Sequence, residues 1–240
     1  MRIAIIGYGK MGQLIDKLAT EKGHEVVYKI DSHNTRLTGQ LENVDVAIEF
    51  TRPETAVENY KKLAGQNIPI VTGTTGWMDD FEAVKNSIIE SGNRFFYASN
   101  FSIGVHITVA VSNYLAKLIQ DFPEYACRID EWHHTAKKDA PSGTALTFAE
   151  EIINNHKGYN KSVKQPTDIQ RNELPIYAYR ENEIPGTHQI KYDSEIDSII
   201  LRHEAKNREG FAMGAIKAAE FLVKQEPGVY SMNHLIKLPI

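Results

Sequence analysis

At 240 residues and 27.1 kDa the chain is long enough for one large domain or two modest ones, each with a buried core. Its 27 basic and 31 acidic side chains leave a formal charge of −4, so no surplus positive field collects phosphates and nucleic acid is not an expected partner. The single cysteine, Cys127, excludes an intrachain disulfide scaffold.

The opening MRIAIIGYGKMG has an apolar run only from Ile3 to Ile6 before glycines interrupt it, which reads as a strand rather than a secretory signal. Further short β-branched or aromatic runs follow at 24–30, 45–50, 68–72 and 94–98, alternating with helical patterns. That alternation predicts an α/β domain with a parallel sheet and crossover helices. Met11, Leu14, Ile15 and Leu18 recur on one helical face, Gly23 marks its stop, and Pro53 suits the first turn of the next helix. The stretch 103–119 is the longest apolar-leaning one, but it carries His106, Asn113 and Lys117 and falls short of a membrane span, so a soluble protein is expected.

After residue 103 the pattern changes to a long helix, a strand over 125–133, a second helix, a loop-like stretch over 156–174, and strands at 174–180, 184–193 and 195–204. Strands with few helices between them predict a second, α+β domain with a mixed or antiparallel sheet. The last helical pattern, 208–225, is expected to return to the first domain, which puts the boundaries at 1–103 plus 209–240 and 104–208.

Gly7-Tyr8-Gly9-Lys10-Met11-Gly12 is a complete G-x-G-x-x-G between a predicted strand and a predicted helix. The first glycine permits the tight turn, the second a close approach to a pyrophosphate, and the third close helix–strand packing, with the helix N-terminus facing the anion. Asp31 lies 19 residues past Gly12, where a carboxylate accepts from the adenosine ribose. Gly73-Thr74-Thr75-Gly76 and Ala98-Ser99-Asn100-Phe101 follow the fourth and fifth strands, at the sheet edge where such domains bind ligands, and are expected to line the nicotinamide side. Gly73-Thr74-Thr75-Gly76 alone would pass for an ordinary turn.

The stretch EWHHTAKKDAPSGTAL, 131–146, gathers His133, His134, Lys137 and Lys138 ahead of Pro141-Ser142-Gly143-Thr144, which opens a helix with an apolar face of Ala145, Phe148, Ala149, Ile152 and Ile153. The helix's first amides make a carboxylate or phosphate site, Lys137 adds charge, and the histidines carry protons near neutral pH. The stretch reads as an anionic-substrate site with acid–base capacity, and Lys138 as a solvated charge. On a strand His133 and His134 face opposite sides, and no cysteine or further histidine stands at ligand spacing, so no metal is expected.

The pattern E-x-H-H-x-x-K-x-D-A-P-S-G-T-A resembles the signature of the dihydrodipicolinate reductases of lysine and diaminopimelate biosynthesis. Gly7 to Gly12, Gly73 to Gly76, Asn100-Phe101-Ser102 and Arg180…Gly186-Thr187-His188 fall in that family's order over almost the whole chain. The resemblance implies a Rossmann-like cofactor domain using NADH or NADPH, a substrate domain whose sheets assemble a homotetramer, a cytoplasmic enzyme, and a small dicarboxylate substrate, 4-hydroxy-tetrahydrodipicolinate, reduced with loss of water. Carried over by motif, it implies His133 as acid/base, Lys137 as proton donor and substrate anchor, and His134 with Ser142, Gly143 and Thr144 as substrate contacts. Where some relatives have an arginine after the acid, this chain has Ser32. Asp31 is thus expected to favour the 2′-hydroxyl of NADH, although Lys10 or Arg36 would allow dual use. Domain closure with hinges near 102–104 and 205–210 is expected to bring hydride donor and acceptor together. The alternatives are another oxidoreductase of this architecture and a regulator that binds NAD(H) without turnover.

Overall fold

The computed structural model describes residues 1–30 and 37–237. In chain order the elements are β1 (Arg2–Ile6), α1 (Lys10–Glu21), β2 (Glu25–Ile30), β3 (Val46–Glu49), α2 (Pro53–Gly65), β4 (Ile70–Thr72), a short 3₁₀ turn (Met78–Asp80), α3 (Phe81–Glu90), β5 (Arg94–Tyr97) and α4 (Ile103–Ile119). There follow β6 (Ala126–His133), α5 (Gly143–Asn155), β7 (Lys161–Lys164), β8 (Glu173–Arg180), β9 (Thr187–Asp193), β10 (Ser198–Glu204), α6 (Glu209–Leu222), β11 (Gly228–Tyr230) and α7 (Met232–Leu235). The chain divides into two compact units, Met1–Ile103 with Glu209–Ile240, and Gly104–Arg208.

The first unit is a parallel sheet in the order β11-β5-β4-β3-β1-β2. Successive residues of each strand serve opposite faces, as the pleat requires. Ile3, Ile5, Val46, Ile48, Val71 and Phe96 join one core with α1 and α6, while Ala4, Ile6, Ala47, Ile70 and Phe95 join the other with α2 and α3. Burial on both faces explains why these strands read as continuous apolar runs. The chain leaves β1 to one side for β2 and returns to the other side for β3, so the carboxyl ends of β1 and β3 flank a topological switch point, where open sheets bind ligands.

The second unit is a mixed sheet, β10-β9-β6-β8-β7, in which β6 runs parallel to β8 and antiparallel to β9. Cys127 and Ile129 of β6, Leu174 and Ile176 of β8, and Ile190 and Tyr192 of β9 form a core with both helices of the unit, α4 and α5. The opposite face of the sheet has no helix of this unit against it. Part of the stretch expected to be loop, 156–174, forms the edge strand β7. Its Lys-Ser-Val-Lys sequence is too short and polar to signal a strand, and pairing with β8 makes it one. β10 begins later than expected because Ser194 closes the turn before it by accepting from the Asp197 and Ile196 amides, and β9 begins at Thr187, after Pro185, which has no amide hydrogen to give a ladder.

Candidate functional site

In the first unit the first and third fingerprint glycines are sterically required. Gly7 has φ +96°, and a Cβ there would lie 2.0 Å from the Phe50 carbonyl oxygen; one at Gly12 would lie 2.4 Å from the Gly7 carbonyl oxygen. The Gly7 and Tyr8 amides donate to Ile30 O at 3.1 and 2.8 Å, tying the turn to the end of β2. Gly9 caps α1 with no side-chain hydrogen bond, and the first turn carries no acid, which leaves a helix N-terminus suited to a pyrophosphate. Lys10 is exposed and Met11 half-buried beside it. Tyr8 donates its hydroxyl to Asp16, which also pairs with Lys29 at 2.7 Å. Asp31, Ser32 and Arg36 lie outside the described residues.

The two loops expected to line the nicotinamide side follow β4 and β5. Thr74 is 8% exposed and spends its groups inside the unit: its hydroxyl accepts from the Thr51 amide at 2.8 Å and its carbonyl from Trp77 Nε1 at 2.8 Å. Thr75 and Ser99 are exposed and Gly73, Ala98 and Asn100 half-buried, whereas Phe101 belongs to the core and packs on Phe50 and Phe96. The Phe101 side chain thus supports the loop from below.

Sequence reasoning passed over the buried carboxyl beneath these loops. Glu49, fully buried at the end of β3, accepts from Thr72 Oγ1 at 2.6 Å and Tyr60 OH at 3.4 Å, and the Thr51 hydroxyl donates to its other oxygen. Burial raises its pKa, and the hydroxyl donors offset this only in part. A carboxyl with a raised folded-state pKa contributes stability that is present at low pH and lost as pH rises through that pKa. Glu49→Gln, nearly isosteric and uncharged, is therefore expected to match the native melting temperature below about pH 4 and to gain on it as pH increases. Thermal unfolding across pH checks this; a variant that loses ground with rising pH would contradict it.

In the second unit, β6 carries Glu131 and His133 on the face that bears Cys127 and Ile129, while the register sets His188 of β9 opposite Glu131 and Arg180 of β8 opposite His133. Ser142 caps α5: its hydroxyl accepts from the Ala145 amide at 3.2 Å and lies 3.1 Å from His188 Nε2, and its own amide donates to both Glu131 oxygens at 3.0 and 3.2 Å. With both groups so engaged and 3% exposure, Ser142 aligns the helix, a cap worth about 1 kcal/mol. Gly143 is exposed, Thr144 is half-buried, and the first turn has no acid, so the α5 N-terminus suits a carboxylate. Lys137, half-buried, pairs with Asp139 at 2.8 Å; Lys138 is exposed; and half-buried His134 accepts the Lys137 amide on its carbonyl at 3.1 Å.

His133 departs from the neutral-pH titration expected of a histidine. Burial pushes its pKa down to about 4, and the charges of His188, Lys137 and Arg180 act in the same direction against the opposing Glu131. Burial would raise Glu131, but hydrogen bonds from His188 and Ser142 outweigh it and hold the carboxyl at about 2. Around neutral pH the ligand-free cluster therefore pairs an ionised Glu131 with a neutral His133. Glu131, His133 and His188 bring possible metal-ligand atoms within 4.8 Å of one another, a grouping that the spacing of the His133-His134 doublet did not foretell. The Glu131 oxygens already accept from the Ser142 amide and from Arg180 Nη2 at 3.1 Å, and a guanidinium in that place opposes a dication. The donor set is one for holding and moving protons.

Family models described as dihydrodipicolinate reductase, N-terminus, and dihydrodipicolinate reductase, C-terminus, match residues 1–101 and 104–236. A 4-hydroxy-tetrahydrodipicolinate reductase of Christiangramia forsetii is 39% identical over 98% of both chains, and one of Caldanaerobacter subterraneus subsp. tengcongensis is 34% identical over 95% of both. Among solved structures, a dipicolinate-bound dihydrodipicolinate reductase from Paenisporosarcina sp. TG-14 shares the fold at a TM-score of 0.76 and 24% identity, covering 98% of this chain and 99% of that one.

Proposed function

From the premise that the chain belongs to the dihydrodipicolinate reductase family, which both family models and the 39% identical relative establish, we infer that it reduces 4-hydroxy-tetrahydrodipicolinate to tetrahydrodipicolinate with NADH or NADPH. The observation that carries the reading is the convergence of His133, Glu131, His188 and Arg180 beside the N-terminus of α5, whose own first turn carries no acid, an acid–base cluster next to a carboxylate site.

The first unit holds the dinucleotide through Gly7, Gly9, Gly12 and the α1 N-terminus, with the loops at 73–76 and 98–101 on the nicotinamide side. The bound cofactor supplies the hydride. Hydride arriving at a conjugated imine leaves an electron-rich atom that must be protonated, so an acid at the ring is required. His133 is assigned that proton transfer. Lys137 is assigned to a substrate carboxylate and to stabilising developing charge, and His134, Gly143 and Thr144 to carboxylate contacts. Ser142 acts through the helix it caps.

A homotetramer in the cytoplasm completes the reading. The sheet face of the second unit that lacks its own helix carries Trp132 stacked on Tyr179 at 5.2 Å, with Arg202 5.1 Å from the Trp132 ring, beside Ile200 at 53% exposure; such a face suits a second copy of the chain. Asp31 and Ser32 lead us to expect NADH to be used at least as well as NADPH, since a carboxylate repels a 2′-phosphate and Ser32 offers no compensating charge. A kcat/KM for NADPH about tenfold above that for NADH would refute this. The function itself is tested by complementation: the chain should restore growth without diaminopimelate or lysine to a bacterium lacking its own reductase, and well-expressed protein that fails to do so would count against it.

A further inference from the structure

We propose that Glu131 is a positioning residue for the reduction: it fixes the His133 ring with the Nδ1 hydrogen turned toward its carboxylate, leaving Nε2 as the atom that handles the substrate proton. The proposal deepens the reductase reading and rests on it for the identity of the substrate.

The geometry has three parts. Glu131 is fully buried and is held from separate elements, by the Ser142 amide at the α5 N-terminus, by Arg180 Nη2 of β8 at 3.1 Å and by His188 Nε2 of β9 at 3.5 Å. A carboxylate gripped from three sides cannot swing away, so Oε2 stays 3.6 Å from His133 Nδ1. That distance is too long for a hydrogen bond, and His133 Nδ1 is a buried nitrogen with no hydrogen-bond partner among the described residues. A buried donor left short of its acceptor is costly, and catalytic contacts of this kind often close only in the substrate complex. The remaining nitrogen, Nε2, lies against Gly186, where a Cβ would come within 3.1 Å; the absence of a side chain there keeps that edge of the ring clear.

The charged groups facing His133 are Glu131 on its own strand, Arg180 on β8, His188 on β9, and Lys137 in the following loop, itself paired with Asp139. The two cations Arg180 and Lys137 balance the two carboxylates Glu131 and Asp139. A dicarboxylate adds two negative charges, which favours proton uptake at Nε2 of a ring whose Nδ1–H is already directed to Glu131. The same proton then passes from Nε2 to the reduced substrate, and Glu131 stabilises the imidazolium in between, as a carboxylate does when it orients a catalytic histidine.

Nitrogen-15 NMR of histidine-labelled protein tests this without turnover. The wild type is expected to show His133 with its hydrogen on Nδ1, and Glu131→Gln, which turns an amide donor toward Nδ1, is expected to shift it to Nε2. In kinetics Glu131→Gln should lower kcat by about 10- to 10³-fold and change KM much less, with cofactor affinity as the control for folding. Glu131→Asp, which keeps the charge, should recover part of kcat, a rescue that simple loss of packing would not give. A wild-type His133 carrying its hydrogen on Nε2, or a folded Glu131→Gln enzyme within about twofold of native kcat, overturns the proposal. Should Glu131→Gln fail to fold, the wild-type spectrum and the Glu131→Asp rates decide. A wild-type Nδ1–H signal in a protein that does not reduce the named substrate would reject the substrate and leave the positioning role standing.

Discussion

Replacing His133 by Gln is expected to lower kcat by about 10²–10⁴-fold with little change in KM, the loss typical of a missing acid in a step limited by proton transfer. The low pKa of His133 adds a sharper expectation. In the free enzyme the ring is protonated only below about pH 4, so substrate must arrive together with a proton. The native kcat/KM should therefore fall as pH rises from about 4 upward, because kcat/KM reports ionisation of the free enzyme. By contrast kcat, which reports the complex with its two added carboxylates, should stay level to a higher pH. His133→Gln should abolish the slope in kcat/KM. If it keeps near-full kcat and the slope, the proton comes from elsewhere.

Lys137→Ala should raise KM and lower kcat together, each by roughly tenfold or more, since the variant loses a charged contact to a carboxylate and the field acting on developing charge. The Asp139 ion pair at 2.8 Å holds Lys137 in the site before substrate arrives. Its removal strips a cation from the surroundings of His133, so the fall in kcat/KM should move to higher pH in the variant. Replacing exposed Lys138 should do little. Steady-state rates across pH for the three variants decide the assignment: if Lys137→Ala alone abolishes turnover while His133→Gln keeps it, lysine is the acid.

The first unit was largely legible because its signals are local. The glycine pattern after Ile3–Ile6, the helical spacing of Leu14, Ile15 and Leu18, and Pro53 each act through neighbours in the chain. β11 and α7 were not foreseen, since Gly-Val-Tyr is too short to signal a strand and pairing with β5 alone defines it. The second unit's cluster was legible only in part. His133 and Lys137 lie in one motif, but Glu131 meets His188 and Arg180 through the register of three strands, which periodicity does not fix between distant segments. Glu49 gave no signal because a lone acid closing an apolar strand looks the same whether it ends in water or, as here, beneath Thr51 and Thr72.

The most direct test of the central claim is consumption of NADH and NADPH by the purified chain when it is given the freshly made condensation product of pyruvate and aspartate semialdehyde. The account predicts loss of reduced-nicotinamide absorbance that requires the condensation product, is suppressed by a dicarboxylate analogue and collapses in His133→Gln. No loss with either cofactor, from folded protein that binds the dinucleotide, would contradict it.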